Sequence, residues 1–575
     1  MIRIPFLLAR NLFALALFLL SLPLRLLGRA FRPKRRWVHV NLQPVYPLTL
    51  PMGIGRWMPR PMTFLEFHAD IERLTKDQSV EGVLFSWEDG LQLGPASLAD
   101  IADAIKGLKV ANKRVLVHAD QYTTLDFPLA NAAHEITMTP AGRLYTFAPH
   151  IELIFLGNLF EKLGILPQFI HIGAFKTATH RFLHESAPQA QRLMMTELLE
   201  NGTQLLKENV GERNGAAMIQ EAPLDARKAA LLGLIDAEVN AGDISRYIED
   251  SDGHSHVDME PNSAPKKSKN RPFLIPLAAW KEDRIAPNWK PLFRSRRKIA
   301  VVDLSGVIVA AGMHAGANTI NPNDVLPLLD SLKNNLRVTG VILHINSPGG
   351  SALSSELIWH AIMDLRKSVP VVAWCTDVAA SGGYYLACAA DAIVCRPESV
   401  MGSIGVIMGK FTAAGAAEKL GVGVEPIGGS SFLSLVTPIE GPLLENLKED
   451  TRSFYRRFLD RVGQSRGIAR QRIHRYARGR VYLGREAHSR GLVDGTGGFR
   501  EAIERIQSLR GLPVRPEDLA LASFRKQDVR AIVRDAVMTS EPISGIFHDS
   551  AQELLIYNVL QKEHCLAYSP LRIKR

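Results

Sequence analysis

Leu386–Pro397 reads LACAADAIVCRP, and Leu129–Pro140, 257 positions earlier, reads LANAAHEITMTP. Downstream, EKLG stands at Glu161–Gly164 and again at Glu418–Gly421, at the same offset. GLID at Gly233–Asp236 matches GLVD at Gly491–Asp494, one residue out of step. Self-similarity at so long a period means a duplicated domain rather than a solenoid of short repeats. The copies differ where chemistry would sit. The second carries Ser381 in AASGGYY where the first has Thr124; the first carries Lys176 in GAFKTA where the second has Leu433. One Ser and one Lys left in complementary copies point to a single shared site.

The pattern around these repeats places the domains. A chain of 575 residues is too long for one core, and two α/β domains of roughly 200 residues fit the usual size range. In the second copy IAVVDL (Ile299–Leu304), GVILHI (Gly340–Ile345) and the run Val371–Cys375 are continuous apolar strands of the buried type. Helical patterns over Asn323–Asn334 and Ser354–Lys367 separate them, which predicts a largely parallel sheet with helical cover. The reading divides the chain into an anchor and basic flank (1–36), a first domain (37–245), a linker (246–297), a second domain (298–512) and a C-terminal extension (513–575). The linker rests on the polar, Ser- and Pro-rich run Asp250–Arg271, and the extension has no counterpart in the first copy.

At the N-terminus, Ile4–Leu27 is apolar but broken by Arg10, Asn11, Pro23 and Arg25. The clean run Leu12–Leu22 falls short of the ~20 residues that cross a bilayer. Arg10 and Arg25 snorkelling to the interfaces would complete an uncleaved span; the alternative is a helix lying in the membrane surface. The net charge of +11, from 69 basic and 58 acidic residues, fits an anionic membrane surface or a plain solvated surface better than a nucleic-acid groove. None of the four cysteines has CxxC spacing, and the 17 histidines show no HExxH, so no metal is expected. There is no GxSxG elbow. Gly421-Val422-Gly423 lacks a dinucleotide-binding context and reads as a turn.

Three elements carry chemistry. Ser381 opens a helical stretch, where free backbone N–H groups can hold an oxyanion, although a Ser there also reads as an N-cap. Ser347-Pro348-Gly349-Gly350 closes a buried strand with a glycine pair that can turn N–H groups toward a ligand, or simply make a turn. The first copy has Asp89-Gly90-Leu91-Gln92 near that place. Lys176 follows the apolar run Phe169–Ile172; an amine becomes a base only where burial favours its neutral form, and otherwise it is a surface Lys at a strand end.

Taken together, NSPGGS (Asn346–Ser351), ASGGYY (Ala380–Tyr385), MGSIGV (Met401–Val406), GAFKTA (Gly173–Ala178) and YLGREAHSRGLVD (Tyr482–Asp494) resemble the signal peptide peptidase A (protease IV) family in its long tandem-domain form. The resemblance spans Trp37 to Leu509. It implies an α/β chain of two tandem Clp protease/crotonase-like domains behind an N-terminal hydrophobic anchor. It also implies that Ser381 is a nucleophile, Lys176 its general base, Ser403 the hydroxyl orienting the amine, and Gly350 and Gly382 the oxyanion donors. No cofactor is implied. Thr179-His180-Arg181, after the Lys motif, departs from the family pattern and bears on substrate preference.

The expected function is a membrane-associated serine endopeptidase acting on hydrophobic peptides such as cleaved signal peptides, with membrane lipid as a partner; the resemblance implies a homotetramer. The resemblance implies the periplasmic face of a bacterial inner membrane, whereas the basic flank Arg29–Arg36 argues for a cytoplasmic body. The rivals are an acyl-CoA hydratase or isomerase on the same fold and a non-enzymatic membrane scaffold.

Overall fold

The computed structural model describes residues 3–30, 36–48, 61–88, 90–211, 213, 215–251, 273–282, 297–313, 318–425, 427–428, 432, 434–515, 518–522 and 565–568. In the first copy the apolar runs form β1 (Arg36–Asn41), β2 (Gly82–Trp87), β3 (Arg114–Thr123) and β4 (Glu135–Tyr145), side by side and parallel. β5 (Leu166–Ile172) leaves this sheet. β6 (Leu224–Asp225) pairs antiparallel with β4, β7 (Ala237–Glu238) parallel with it, and β8 (Phe273–Pro276) adds to β1. The order is β6-β4-β3-β2-β1-β8.

The second copy repeats the plan. Its strands are β9 (Lys298–Ser305), the short β10 (Val307–Ile308) and β11 (Thr319–Ile320), β12 (Val338–Ser347), β13 (Gly349–Ser351), β14 (Val371–Ala380), β15 (Ala392–Cys395), β16 (Val400–Gly402), β17 (Val406–Thr412), β18 (Val481–Leu483), β19 (Gly495–Thr496) and β20 (Leu519–Ala522). The main sheet runs β18-β16-β14-β12-β9-β20, with β15 beside β14 and β19 beside β15. The two helices expected between its strands lie at Pro322–Lys333 and Ala352–Leu365. The copies also share details that only common descent of the fold explains simply. Asp236 Oδ2 accepts from Ile136 N at 2.7 Å, and Asp494 Oδ2 accepts from Ile393 N at 2.7 Å. Each of these aspartates is held by an arginine, Arg213 and Arg466 respectively.

The repeat extends farther than the sequence reading placed it. β8 lies inside the stretch read as linker, yet it pairs parallel with β1 as β20 pairs parallel with β9. β20 in turn lies in the extension read as having no counterpart. Short polar segments on either side hid both strands, because four residues give too little periodicity to register. The linker core 252–272 and most of the extension fall outside the described residues.

A third sheet joins the copies: β11-β10-β13-β21-β17-β5, where β21 is Cys565–Tyr568. β5 of the first copy pairs antiparallel with β17 of the second along its whole length, from Ile172 opposite Val406 to Leu166 opposite Thr412. Each copy keeps its own core, and two further clusters cross between them. Phe64 and Leu48 of the first copy pack with Ile342, Trp374 and Phe499 of the second. Met194, Met195 and Leu205 pack against Val400, Val481 and Leu483.

Polar contacts then fix the register of the interface. The helix Pro95–Val110 has no capping side chain of its own. Instead Asp377, from the second copy, accepts from Ala96 N at 3.0 Å, Ser97 N at 3.2 Å and Ser97 Oγ at 2.6 Å. This is an N-cap supplied from across the interface. Farther along the same helix, buried Arg396 donates Nε to Asp100 at 2.9 Å and a terminal nitrogen to Asp103 at 2.5 Å. Burial pushes the Asp100 carboxyl up, and Arg396 opposes that shift.

The N-terminal residues Arg3–Ala30 form one helix with Pro23 inside it. Among the described residues no helix is long and apolar enough to cross a membrane. The spanning anchor is therefore not seen: Arg10, Asn11, Pro23 and Arg25 interrupt the apolar run too often. The helix does expose Leu12, Phe13, Leu17, Leu19 and Leu20.

Replacing Arg396 with Ala would leave the Asp100 carboxylate buried without its cation, which typically costs about 3–5 kcal/mol. The urea unfolding midpoint of Arg396→Ala is expected to drop accordingly. Arg485→Ala, which breaks an exposed pair with Glu208, is expected to leave the midpoint unchanged.

Candidate active site

β14 ends at Ala380, and the next residue takes a backbone conformation rare for a side-chain-bearing residue. Ser381 has φ 55° and ψ −117°. Strain of this kind persists only where the surroundings hold it. Here Ser381 N donates to Gly402 O at 2.7 Å, and Tyr385 N donates to Ser381 O at 2.9 Å. Its hydroxyl makes no cap bond to the helix Gly382–Ala387 that it precedes. The N-cap alternative is thereby removed, and the side chain is turned elsewhere.

It is turned toward Lys176. The antiparallel ladder of β5 on β17 delivers the segment after Ile172 to the end of β16, because Ile172 stands opposite Val406. From there Lys176 Nζ donates to Ser381 Oγ at 2.6 Å, to Ser403 Oγ at 3.0 Å and to Ser403 O at 3.0 Å. The three residues are 1%, 0% and 2% exposed for Lys176, Ser381 and Ser403. The contact forms within one chain, which the sequence left open. Ser403 also has a positive φ, 53°, on the turn after β16.

Gly382 is the first residue of the helix after Ser381, and Gly350 is the middle residue of β13. Gly350 has φ +153°, and a Cβ there would lie 2.0 Å from Ile308 O, so only glycine lets β13 lie against β10. Behind the serine, Tyr385 donates its hydroxyl to Glu356, which also accepts from Arg461 at 2.6 Å. Burial would raise the Glu356 carboxyl, but the bonds from Arg461 and Tyr385 bring it below its ordinary value. This network ties the helix Gly382–Ala387 to the helices Ala352–Leu365 and Gly441–Arg466.

The sequence reading missed Asp377, Arg396, Glu356 and the loop Ala477–Arg480, which packs on Lys176. Each is an ordinary residue type in an unremarkable local pattern, and only long-range contacts reveal them. His180, in the segment that departs from the family pattern, is held below its usual range at about 4, chiefly by burial. It shares a hydrogen bond with Gln191 at 3.2 Å and packs its ring 5.0 Å from His184 and 5.5 Å from His171. Among the described residues no group of His, Cys, Asp and Glu is placed to hold a metal ion.

The first copy shows what the matching place became. Thr124 accepts from Phe147 N at 2.8 Å and donates to Phe147 O at 2.9 Å, so its hydroxyl closes a loop. Two residues on, buried Asp126 is pushed up to about 7, mainly by desolvation.

The model of the Clp protease family matches residues 313–401. That of Peptidase family S49 matches residues 108–252 and 363–513, one stretch on each copy and together just over half of the chain. The architecture is two tandem Clp protease-like domains. A chloroplastic serine protease SPPA of Arabidopsis thaliana is 29% identical over 439 residues, covering 74% of this chain and 63% of that protein. Protease 4 of Haemophilus influenzae is 27% identical over 515 residues, covering 87% of this chain and 81% of its own. Protease 4 of Salmonella typhi is 23% identical over 465 residues, covering 77% and 71%.

Asp126 supplies a pH test of the first copy. Its folded pKa lies above the unfolded value, so the destabilisation from ionising it is absent below about pH 4, grows to about pH 7 and is flat above. Asp126→Asn is expected to raise stability by about 2–4 kcal/mol at pH 8 and by little at pH 4. Denaturant titrations at the two pH values check this.

Proposed function

The chain belongs to peptidase family S49, and on that premise we propose that it is a serine endopeptidase running on a Ser381/Lys176 dyad shared between its two domains. Family membership supports a serine peptidase. One observation carries the finer reading: a buried amine lies 2.6 Å from a buried, strained serine hydroxyl, with a second serine holding the amine.

The steps follow from that arrangement. Burial disfavours the charged form of an amine, so Lys176 is suited to take the Ser381 proton as Oγ attacks the peptide carbonyl. The negative charge forming on the carbonyl oxygen is met by the N–H groups of Gly350 and Gly382. The Lys176 ammonium then returns the proton to the leaving amine, and water hydrolyses the Ser381 ester by the same base. Ser403 keeps the amine aimed throughout. A carboxylate to orient the base is not needed, because Ser403 Oγ and O do that work.

Substrate enters as an extended strand on this reading. β21 lies between β13 and β17, antiparallel to both, with Ala567 opposite Gly350 and Leu566 opposite Ile407. A gap that accepts four residues of strand from this chain suits any extended peptide, bound mainly through its backbone. Hydrophobic peptides left by protein export are the substrates we favour. The exposed apolar side chains of the helix Arg3–Ala30 would seat the enzyme in the surface of a bacterial inner membrane, its domains on the periplasmic side. A homotetramer is part of the same proposal. The Lys–Ser contact and family membership both argue against the acyl-CoA and scaffold readings.

Hydrolysis of a fluorogenic hydrophobic peptide tests the proposal. Ser381→Ala and Lys176→Ala are each expected to lose about 10⁴-fold or more in kcat, and the double variant no more than either, because the two act as one unit. Lys176→Ala retaining wild-type turnover would sink the dyad. Removing residues 563–575 empties the β13–β17 gap and is expected to lower KM with kcat unchanged; an unchanged KM would show that β21 does not compete with substrate.

A further inference from the structure

The loop Ala477–Arg480 bonds to the residue before Lys176 and to Ser403, without supplying a reacting group. Phe175 N donates to Arg478 O at 2.9 Å, fixing the residue before the lysine. Ser403 N donates to Arg480 O at 2.8 Å, and Gly479 N donates to Ile404 O at 2.8 Å, fixing the serine that aims the amine. Between these two anchors Gly479 faces the lysine backbone. A Cβ on Gly479 would lie 2.4 Å from Lys176 N and 2.5 Å from its Cα and Cβ. The closeness is reciprocal: a Cβ on Gly173 would lie 2.2 Å from the carbonyl carbon and oxygen of Arg478.

The loop is itself held. Arg478 is a non-glycine residue at φ 57°, and its N–H donates to the Tyr455 hydroxyl at 3.2 Å. Tyr455 shares a second bond with His474 Nδ1 at 2.9 Å. The guanidinium groups of Arg480 and Arg478 sit 4.9 and 5.9 Å from the centre of the Phe175 ring, and Arg480 also pairs with Glu197. The lysine comes from the first domain and the loop from the second. Something must therefore set the distance between them to within a fraction of an ångström, and β5–β17 pairing alone ends at Ile172.

We infer that Ala477–Arg480 is the positioning element for Lys176, with Gly479 the residue that decides where the amine stands. The inference rests on the peptidase reading above and deepens it. A methyl at position 479 cannot fit without moving the Lys176 backbone, since real Cβ atoms do not approach heavy atoms within 3.0 Å. Moving it draws Nζ away from Ser381 and Ser403 and out of its buried site.

The test compares wild type, Gly479→Ala and Gly421→Ala on one fluorogenic peptide from pH 6 to pH 10. Gly421 has φ +74° against +81° for Gly479, but nothing lies within 4 Å of a Cβ there. It therefore imposes similar backbone strain without touching the lysine. Gly479→Ala is expected to lose about 100-fold in kcat at pH 7, the usual scale for a misplacement near 1 Å, with KM changed less than about threefold. Its loss should shrink toward pH 10, because a less buried amine holds its proton more tightly and needs higher pH to act as base. Gly421→Ala should follow wild type. A Gly479→Ala loss that is the same at every pH, or one matched by Gly421→Ala, would overturn the inference. So would wild-type behaviour of Gly479→Ala. If Gly479→Ala shows no cooperative unfolding transition, the comparison moves to Gly405→Ala, whose Cβ would meet Lys176 Cδ at 3.1 Å. That variant must show the same pH-dependent loss in milder form, and its absence overturns the inference equally. A wild type with no turnover defeats the peptidase reading itself, and this inference with it.

Discussion

A hydrogen bond of 2.6 Å between an amine on one domain and a hydroxyl on another tolerates almost no movement between the two. Much of the interface follows from that constraint. The β5–β17 ladder carries Lys176 to the serine, and a slip of one residue would turn the β5 side chains to the opposite face and shift the segment that bears the lysine. Arg396 with Asp100 and Asp103, and Asp377 on the helix Pro95–Val110, lock the same two bodies at a separate point. Buried, charged contacts are a poor source of net stability, but they fix register well when fully partnered. The apolar clusters around Trp374 and Met194 supply the area that holds the halves together.

Duplication followed by loss accounts for the asymmetry. Both copies keep the Asp–Arg pair that closes the last turn before β7 or β19, because that pair holds the sheet edge and not a substrate. Each has shed what the other provides. In the first copy Thr124 has become a loop staple, and Asp126 is buried where the second copy has Gly383. In the second, Leu433 stands where the first has Lys176. Ser381 and Ser403 have positive φ, whereas Thr124 and Thr146 at the matching places of the first copy do not.

Much of this was legible in the sequence, and what was not has a physical reason. The duplication, the buried parallel strands and the residues Ser381, Lys176 and Ser403 were visible because repeats and motifs are local or nearly so. The N-cap alternative for Ser381 could not be dismissed from the chain alone; its φ of 55° and the direction of its hydroxyl settle it. β8 and β20 escaped because short edge strands carry almost no period, and their partners lie hundreds of residues away or across a polar stretch. Arg396, Asp377 and Gly479 escaped for another reason. Their importance lies in what sits opposite them in space, and no spacing along the chain encodes that. At the N-terminus the apolar content suggests a span, while among the described residues no helix is long and apolar enough to cross a membrane.

The claim on which the account stands is that Lys176 activates Ser381. Covalent labelling of Ser381 by a fluorophosphonate, followed by intact mass in wild type and Lys176→Met, measures that step without any assumption about substrate. The account predicts that wild type labels at Ser381 with a rate rising with pH, and that Lys176→Met, folded and of the same oligomeric size, labels at the background rate across the range. Labelling of Lys176→Met at the wild-type rate would contradict it.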